Sequence, residues 1–147
     1  MSISGITVEN LEACAELFVE VFNQPPWSES WTISQAIERL QFYFDTPNFI
    51  GACFYEGEEL LGFVLGNYEP YQSENLYLLK EMCVSLEPQG KGVGSSLVKH
   101  LHVLLKTKGI TTVNLINKVD GLAERFYLKN GYYKSHKMGL YVARFNT

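Results

Sequence analysis

The sequence predicts one domain built on a mixed α/β sheet with helices on its faces. Three observations carry this. Apolar residues switch between helical spacing and continuous strand-like runs along the chain, the helical stretches stop at Pro or Gly, and no linker, repeat or low-complexity stretch divides the 147 residues. A chain of this length buries roughly 68 to 70% of its unfolded surface, enough for one core without staples. The predicted order is strand, two helices, several strands, helix, strand, helix and final strand, which excludes bundles and pure sandwiches.

A short strand starts at about Ile3. Leu11, Cys14, Ala15, Phe18, Val21 and Phe22 then recur at helical spacing, so Val8 to Asn23 reads as an amphipathic helix stopped by Pro25 and Pro26. Past a loop carrying Trp27 and Trp31, Thr32 with Gln35 reads as a capping box opening a second helix, with Ile33, Ala36, Ile37, Leu40 and Phe44 inward and an end before Pro47. Phe49 to Tyr55 and Leu60 to Tyr68 flank Glu56-Gly57-Glu58-Glu59 as a hairpin, and Leu76 to Val84 is a third strand. Leu97, Val98, Leu101, Leu104 and Leu105 mark a helix from Val93 that ends at Gly109, followed by a short buried strand at Thr112 to Ile116. Leu122 to Lys129 is the last helix, closed by Asn130-Gly131, and Tyr132 to Phe145 offers one or two strands.

Hydrophobic residues make up 46%, aromatics 14% and charged residues 19%, which excludes disorder. No apolar run approaches the roughly 20 residues of a membrane span, and Met1 to Glu12 lacks a signal peptide's basic start and apolar stretch. A cytoplasmic protein with no membrane partner is the expectation. A net charge of −4 argues against broad nucleic-acid binding, so any phosphate site must be local. Cys14, Cys53 and Cys83 lack the paired spacing of a zinc site, and His100, His102 and His136 complete none, so reduced thiols and no metal are expected.

The most informative segment runs from Val84 through Gln89-Gly90-Lys91-Gly92-Val93-Gly94-Ser95-Ser96 to Leu97: strand end, glycine-rich turn, helix start. Glycine lets the backbone approach a ligand, and the first turn of a helix adds unpaired N–H donors with partial positive charge, a combination suited to phosphate or pyrophosphate. Lys91, Ser95 and Ser96 add further donors. A turn and helix cap without a ligand is the other reading. The dinucleotide fingerprint fails because Leu97 holds its third glycine position, and the nucleotide P-loop fails because Gly92 follows Lys91.

Gln89-Gly90-Lys91-Gly92-Val93-Gly94, together with Ala123-Glu124-Arg125-Phe126-Tyr127-Leu128-Lys129-Asn130-Gly131-Tyr132, resembles the two signature regions of the GNAT superfamily of acyl-CoA-dependent N-acetyltransferases. The resemblance implies a mostly antiparallel central sheet with helices on both faces, and acetyl-CoA as cosubstrate. It places the pyrophosphate on the amides of Gln89, Gly90, Lys91, Gly92, Val93, Gly94 and Ser95, and the pantetheine beside Met82, Cys83 and Val84. Asp120 stands where many relatives have Asn and lacks its amide donor, which Asn117 compensates on this reading.

Acetyl transfer to an amine needs a neutral nucleophile, an attack geometry and a proton for the leaving thiolate. Tyr127 matches the family's tyrosine acid, with a core packing role as the other reading. The base position common in relatives is Leu78 here, which takes no proton; Glu81 is the nearest carboxylate. Regular alternation puts Leu78 and Glu81 on opposite faces, and a bulge between them reverses that parity. Glu81 is then a base, a reader of a cationic acceptor or a solvated strand residue. Cys83 is expected to be inert, with no adjacent base. Pro25 to Trp31 and the Tyr68 to Asn75 loop are expected to form the acceptor site, where Trp27, Trp31, Tyr68 and Tyr71 with Glu29, Glu69 and Glu74 suit a cation; core anchoring of the tryptophans is the other reading. The stretch Pro25-Pro26-Trp27-Ser28 with Glu81 is similar to members labelled aminoglycoside 6'-N-acetyltransferase-like. The sequence thus reads as an N-acetyltransferase for a small primary amine, monomeric or homodimeric, with a noncatalytic acyl-CoA sensor as the rival.

Overall fold

The computed structural model describes residues 1–86 and 92–146. They form two compact units, Met1–Leu115 and Ile116–Thr147. In the first unit the order is β1 (Ser2–Gly5), α1 (Val8–Phe22), α2 (Ile33–Phe44), β2 (Phe49–Glu56), β3 (Glu59–Tyr71), β4 (Glu74–Val84), α3 (Val93–Thr107) and β5 (Thr112–Asn114). The five strands lie in sequence order, antiparallel except for the parallel β4–β5 pair. This is the mixed, mostly antiparallel sheet expected.

Helices cover both faces. Leu11, Cys14, Leu17, Phe18, Val21, Ala36 and Leu40 of α1 and α2 pack with Cys53, Phe63, Leu65 and Cys83 of the sheet. The alternate residues face α3: a Cβ on Gly62 would meet Val93 Cγ1 at 3.0 Å and Leu97 Cδ1 at 3.1 Å. On that side Val64, Tyr77, Leu79, Leu97, Leu101 and Ile110 are buried. Burial of apolar side chains on two faces explains why β2 and β3 read as nearly continuous apolar runs rather than alternating ones.

Local chemistry sets the element ends. Thr32 Oγ1 accepts from Gln35 N at 3.0 Å while Gln35 Oε1 accepts from Thr32 N at 3.0 Å, the reciprocal capping box. Gly57, at φ 64°, turns β2 into β3. Gly109, at φ 75°, ends α3: Ile110 N donates to Leu105 O and Gly109 N to Lys106 O, each at 3.0 Å, a Schellman motif.

Four expectations need correction. Thr112 to Ile116, read as a buried strand, is a strand only over Thr112–Asn114, with Val113 half-buried and its neighbours exposed, because it pairs with β4 alone at the end of the sheet. Ile33 is exposed rather than inward, because the first turn of α2 stands out beyond the sheet-facing Ala36 and Leu40. Tyr68 to Asn75 is no open loop: β3 and β4 pair out to Tyr71↔Glu74, leaving Gln72-Ser73 as the turn. Tyr132 to Phe145 forms no strand, since its β-favouring residues find no ladder partner among the described residues, and residues 133–146 are exposed. In the second unit, α4 (Leu122–Lys129) closes through Tyr132 N donating to Tyr127 O at 3.1 Å and Gly131 N to Leu128 O at 3.4 Å, the motif expected of Asn130-Gly131.

Candidate active site

The site begins with an irregularity in β4. Leu65 faces Glu81 and Gly66 faces Leu79, so Lys80 is an extra residue without a partner on β3. Without it, Leu78 and Glu81 would point to opposite faces. With it, Leu78 pairs with Asn67 and Glu81 with Leu65, both on the α1/α2 face, while Met82 and Val84 turn toward α3. Gly66 makes room for the bulge, as a Cβ there would lie 2.1 Å from Leu78 O and 2.9 Å from the Tyr77 ring.

Glu81 does not stand alone. Arg39 Nε donates to its Oε1 at 2.8 Å, with the Glu81 side chain 12% exposed and that of Arg39 40%. Burial pushes the Glu81 carboxyl above the usual carboxylate range, and Arg39 opposes that without cancelling it. At Arg39, burial works to lower the guanidinium, and the charge of Glu81, backed by Tyr43 and Glu29, outweighs it. The two shifts favour opposite states of one pair. The carboxylate decides proton transfer, because a guanidinium stays charged throughout the working range.

Arg39 is held in an aromatic setting, its Cζ 5.7 Å from the Trp31 ring centroid and 5.4 Å from that of Tyr43. Trp31 is itself pinned. Asn23, which caps α1, accepts from Trp31 N at 2.8 Å and donates to Trp31 O at 2.9 Å, the Trp31 ring meets Phe18 edge-on at 4.8 Å, and its Nε1 donates to Glu29 Oε1 at 2.7 Å. Arg39 and Tyr43 sit four residues apart on α2, on one side of the helix. With Glu29, Ser30, Gln35, Glu38 and Phe42 these residues line an open groove of about 810 Å³. A smaller cleft of about 290 Å³ adjoins it across Phe42 and Tyr43, where Leu78 and Lys80 lie and Asn67 Oδ1 is buried without a hydrogen-bond donor.

The sequence candidates divide accordingly. Trp31 lines the groove with its ring already under a cation, whereas Trp27 meets Phe22 edge-on at 5.2 Å and does not line it. Tyr68 pairs with Tyr77 and so faces α3, and Tyr71 is exposed at the hairpin end. Cys83 is buried in the core with its thiol pushed well up, burial first and then Glu81 and Glu20; its Sγ reaches Leu17 O at 3.8 Å. That is an inert thiol. Sequence reasoning missed Arg39, Tyr43 and Asn23; the only local trace was the spacing of Arg39 and Tyr43 on α2.

On the edge of β4 away from β3, the parallel ladder with β5 covers only Leu76, Tyr77 and Leu78. From Leu79 to Val84 that edge has no ladder partner among the described residues. Gly92 caps α3 in the left-handed region at φ 66°, with open space around a notional Cβ, and no acidic residue occupies the first turn of the helix. Val93 and Gly94 are buried in that turn, with Ser95 and Ser96 half-buried. Gln89, Gly90 and Lys91 lie outside the described residues. In the second unit, Asn117 is exposed, Asp120 takes φ 58° ahead of α4, and Tyr127 lies on α4 with its ring 5.2 Å from Phe126 and 5.4 Å from Tyr132.

Past Leu78 the fourth strand runs on without the fifth, and the helix that follows it is capped by a left-handed glycine. Residues 49–134 match the family model described as the acetyltransferase (GNAT) domain. The chain belongs to the GNAT acetyltransferase family. The matched span covers more than half of this acetyltransferase, from β2 to just past α4. No curated protein sequence matches it. Among solved structures it is similar to a probable acetyltransferase, at 18% identity and a TM-score of 0.82 over 100% of this chain and 99% of the other. It is also similar to an aminoglycoside antibiotic 6'-N-acetyltransferase from Acinetobacter haemolyticus, at 12% identity and a TM-score of 0.78 over 99% and 100%. An aminoglycoside acetyltransferase from an uncultured soil metagenomic sample, in complex with sisomicin, aligns at 18% identity and a TM-score of 0.74 over 99% and 96%. At these identities the likeness is one of fold.

Proposed function

We propose that this acetyltransferase moves an acetyl group from acetyl-CoA directly to a primary amine of a small molecule within a ternary complex. The observation that carries the reading is the bulge at Lys80, which sets the Glu81 carboxylate on the α1/α2 face where the free edge of β4 begins. The chain's own groups fit acetyl-CoA: main-chain groups of Met82, Cys83 and Val84 lie on that edge, and the open backbone at Gly92 leads into the amides of Val93, Gly94 and Ser95. Gln89, Gly90 and Lys91 would complete the pyrophosphate cradle, with Asn117 supplying the amide donor that Asp120 lacks. When bound, acetyl-CoA supplies an acyl carbon open to attack and a thiol leaving group.

The remaining work falls to side chains. Glu81 attracts the ammonium form of the acceptor and takes a proton, directly or through water, so that the nitrogen presents its lone pair. Arg39 favours the ionised form of Glu81 and offsets part of the effect of its burial. Tyr127 donates the proton that the leaving sulfur needs. Trp31 borders the acceptor's approach. Glu81→Gln keeps the shape and removes the charge and the basicity. With thiol release as the readout, it should slow turnover near neutral pH by roughly 10² to 10⁴ and recover in part at higher pH, where more amine is already neutral. Parent-like rates at two pH values with a saturating amine would exclude Glu81. Coenzyme binding without turnover of polyamines, aminoglycosides, amino acids or peptide amines would refute the enzyme reading altogether.

A further inference from the structure

Among the described residues, the groove is lined by one basic side chain. Of the residues lining it, Glu29 and Glu38 are acidic and only Arg39 is cationic. Its guanidinium is fixed by the Nε bond to Glu81 Oε1 at 2.8 Å and by the neighbouring rings of Trp31 and Tyr43. The one hydrogen bond the guanidinium makes among the described residues is from Nε, and the side chain remains 40% exposed. Glu81 Oε2 likewise accepts nothing among the described residues. A guanidinium anchored at Nε retains its planar Nη fork, which matches the two oxygens of a carboxylate.

We propose that the amine acetylated here also carries a carboxylate one or two carbons away, making the acceptor a small amino acid. The carboxylate is held by the Arg39 Nη fork and the amine faces Glu81 Oε2. This rests on the acetyl-transfer reading above and names its substrate class. The charges select it. A plain anion meets Glu29 and Glu38 in the groove and Glu81 behind Arg39, and a polycation must place a positive group against Arg39. A zwitterion offers each member of the Arg39–Glu81 contact its opposite, with two charges about as close together as theirs. In the reaction the nitrogen forms the amide bond to the acyl carbon, the carbon–sulfur bond breaks, coenzyme A leaves as the thiol, and the ammonium's remaining proton passes through Glu81 to solvent.

The test uses the full chain, acetyl-CoA and matched acceptors with and without the carboxylate, such as phenylalanine against phenethylamine and lysine against cadaverine. The parent should prefer the acid by about 10-fold or more in kcat/KM, mainly through KM, the scale of a charge-assisted bidentate contact. Arg39→Met should reduce that ratio to near unity and Arg39→Lys should retain part of it. A ratio taken within one variant cancels any general loss from disturbing Glu81. Should Arg39→Met fail to fold, the parent's own ratio and competitive inhibition by the amine-free acid, 3-phenylpropionate, decide the matter. Equal or better use of the decarboxylated amines, or a preference that survives Arg39→Met, overturns the inference while leaving acetyl transfer intact. No turnover of either kind of amine overturns acetyl transfer and the inference with it.

Discussion

Gly66→Ala tests whether the bulge in β4 is held by a steric requirement. The added methyl would lie 2.1 Å from Leu78 O and 2.9 Å from the Tyr77 Cζ and Oη atoms. Both neighbours are fixed. Leu78 O belongs to the strand backbone, and the Tyr77 ring is fully buried with its hydroxyl donating to Ile50 O at 2.7 Å. Overpacking a close-packed site costs about 1–3 kcal/mol. Displacing the phenol adds about 1–3 kcal/mol if Ile50 O is left buried without its donor. At about 2–4 °C per kcal/mol for a domain of this size, the combined loss lowers Tm by about 5 to 20 °C. Tyr77→Phe, which removes only the hydroxyl, should account for the smaller part. Thermal unfolding followed by circular dichroism, with urea midpoints as a second measure, reads both variants. A Gly66→Ala protein melting within about 2 °C of the parent would mean that β4 takes its irregular register for another reason.

Gly92→Asp should fold, since the site is open and aspartate tolerates a left-handed backbone, yet bind acetyl-CoA far more weakly by calorimetry because its charge enters the anion cradle. Tyr127→Phe should keep coenzyme affinity and slow turnover by roughly 10² to 10⁴; an unchanged rate removes it as the acid. Cys83→Ala should lower stability in urea by about 1–2 kcal/mol and leave transfer intact, and an acetylated Cys83 in the mass spectrum would replace direct transfer with a two-step route. The raised carboxyl of Glu81 fixes a sign: its neutral form contributes stability that is full below the ordinary carboxylate range and lost as pH rises through the raised value. Transfer runs the other way, with kcat/KM falling as pH drops through that same value. Arg39→Met, which removes the opposing charge, should move this acidic limb to higher pH.

Features set by neighbours in sequence were legible. Thr32 with Gln35 and Asn130 with Gly131 close their hydrogen bonds within five residues, so residue type and spacing suffice. The glycine-rich start of α3 was legible for the same reason, with Gly92 as its left-handed cap. The bulge was legible only as an alternative, because it is set by the packing of Gly66 against Leu78 and Tyr77 across two strands. Arg39 was illegible: 42 residues separate it from Glu81, and its ring partner Trp31 is positioned by Asn23 on another element. Trp27, read as a wall of the site or as a core anchor, meets Phe22 edge-on and does not line the groove, a distinction that residue type alone does not make. Tyr132 to Phe145 has the composition of a strand, and composition supplies no ladder partner.

The margin of β4 from Leu79 to Val84, without a ladder partner among the described residues, also bears on strand pairing between molecules. A row of main-chain donors and acceptors without a ladder is a template for any extended chain, a second molecule's strand included. Here the margin opens beside Lys80, a charged residue at an irregular point in the strand, and bulges twist an edge out of the flat geometry that intermolecular pairing needs. The extra residue that turns Glu81 to the α1/α2 face therefore also makes this margin a poorer template for such pairing. Replacing Lys80 with an apolar β-former would remove that hindrance, and self-association would then grow with protein concentration.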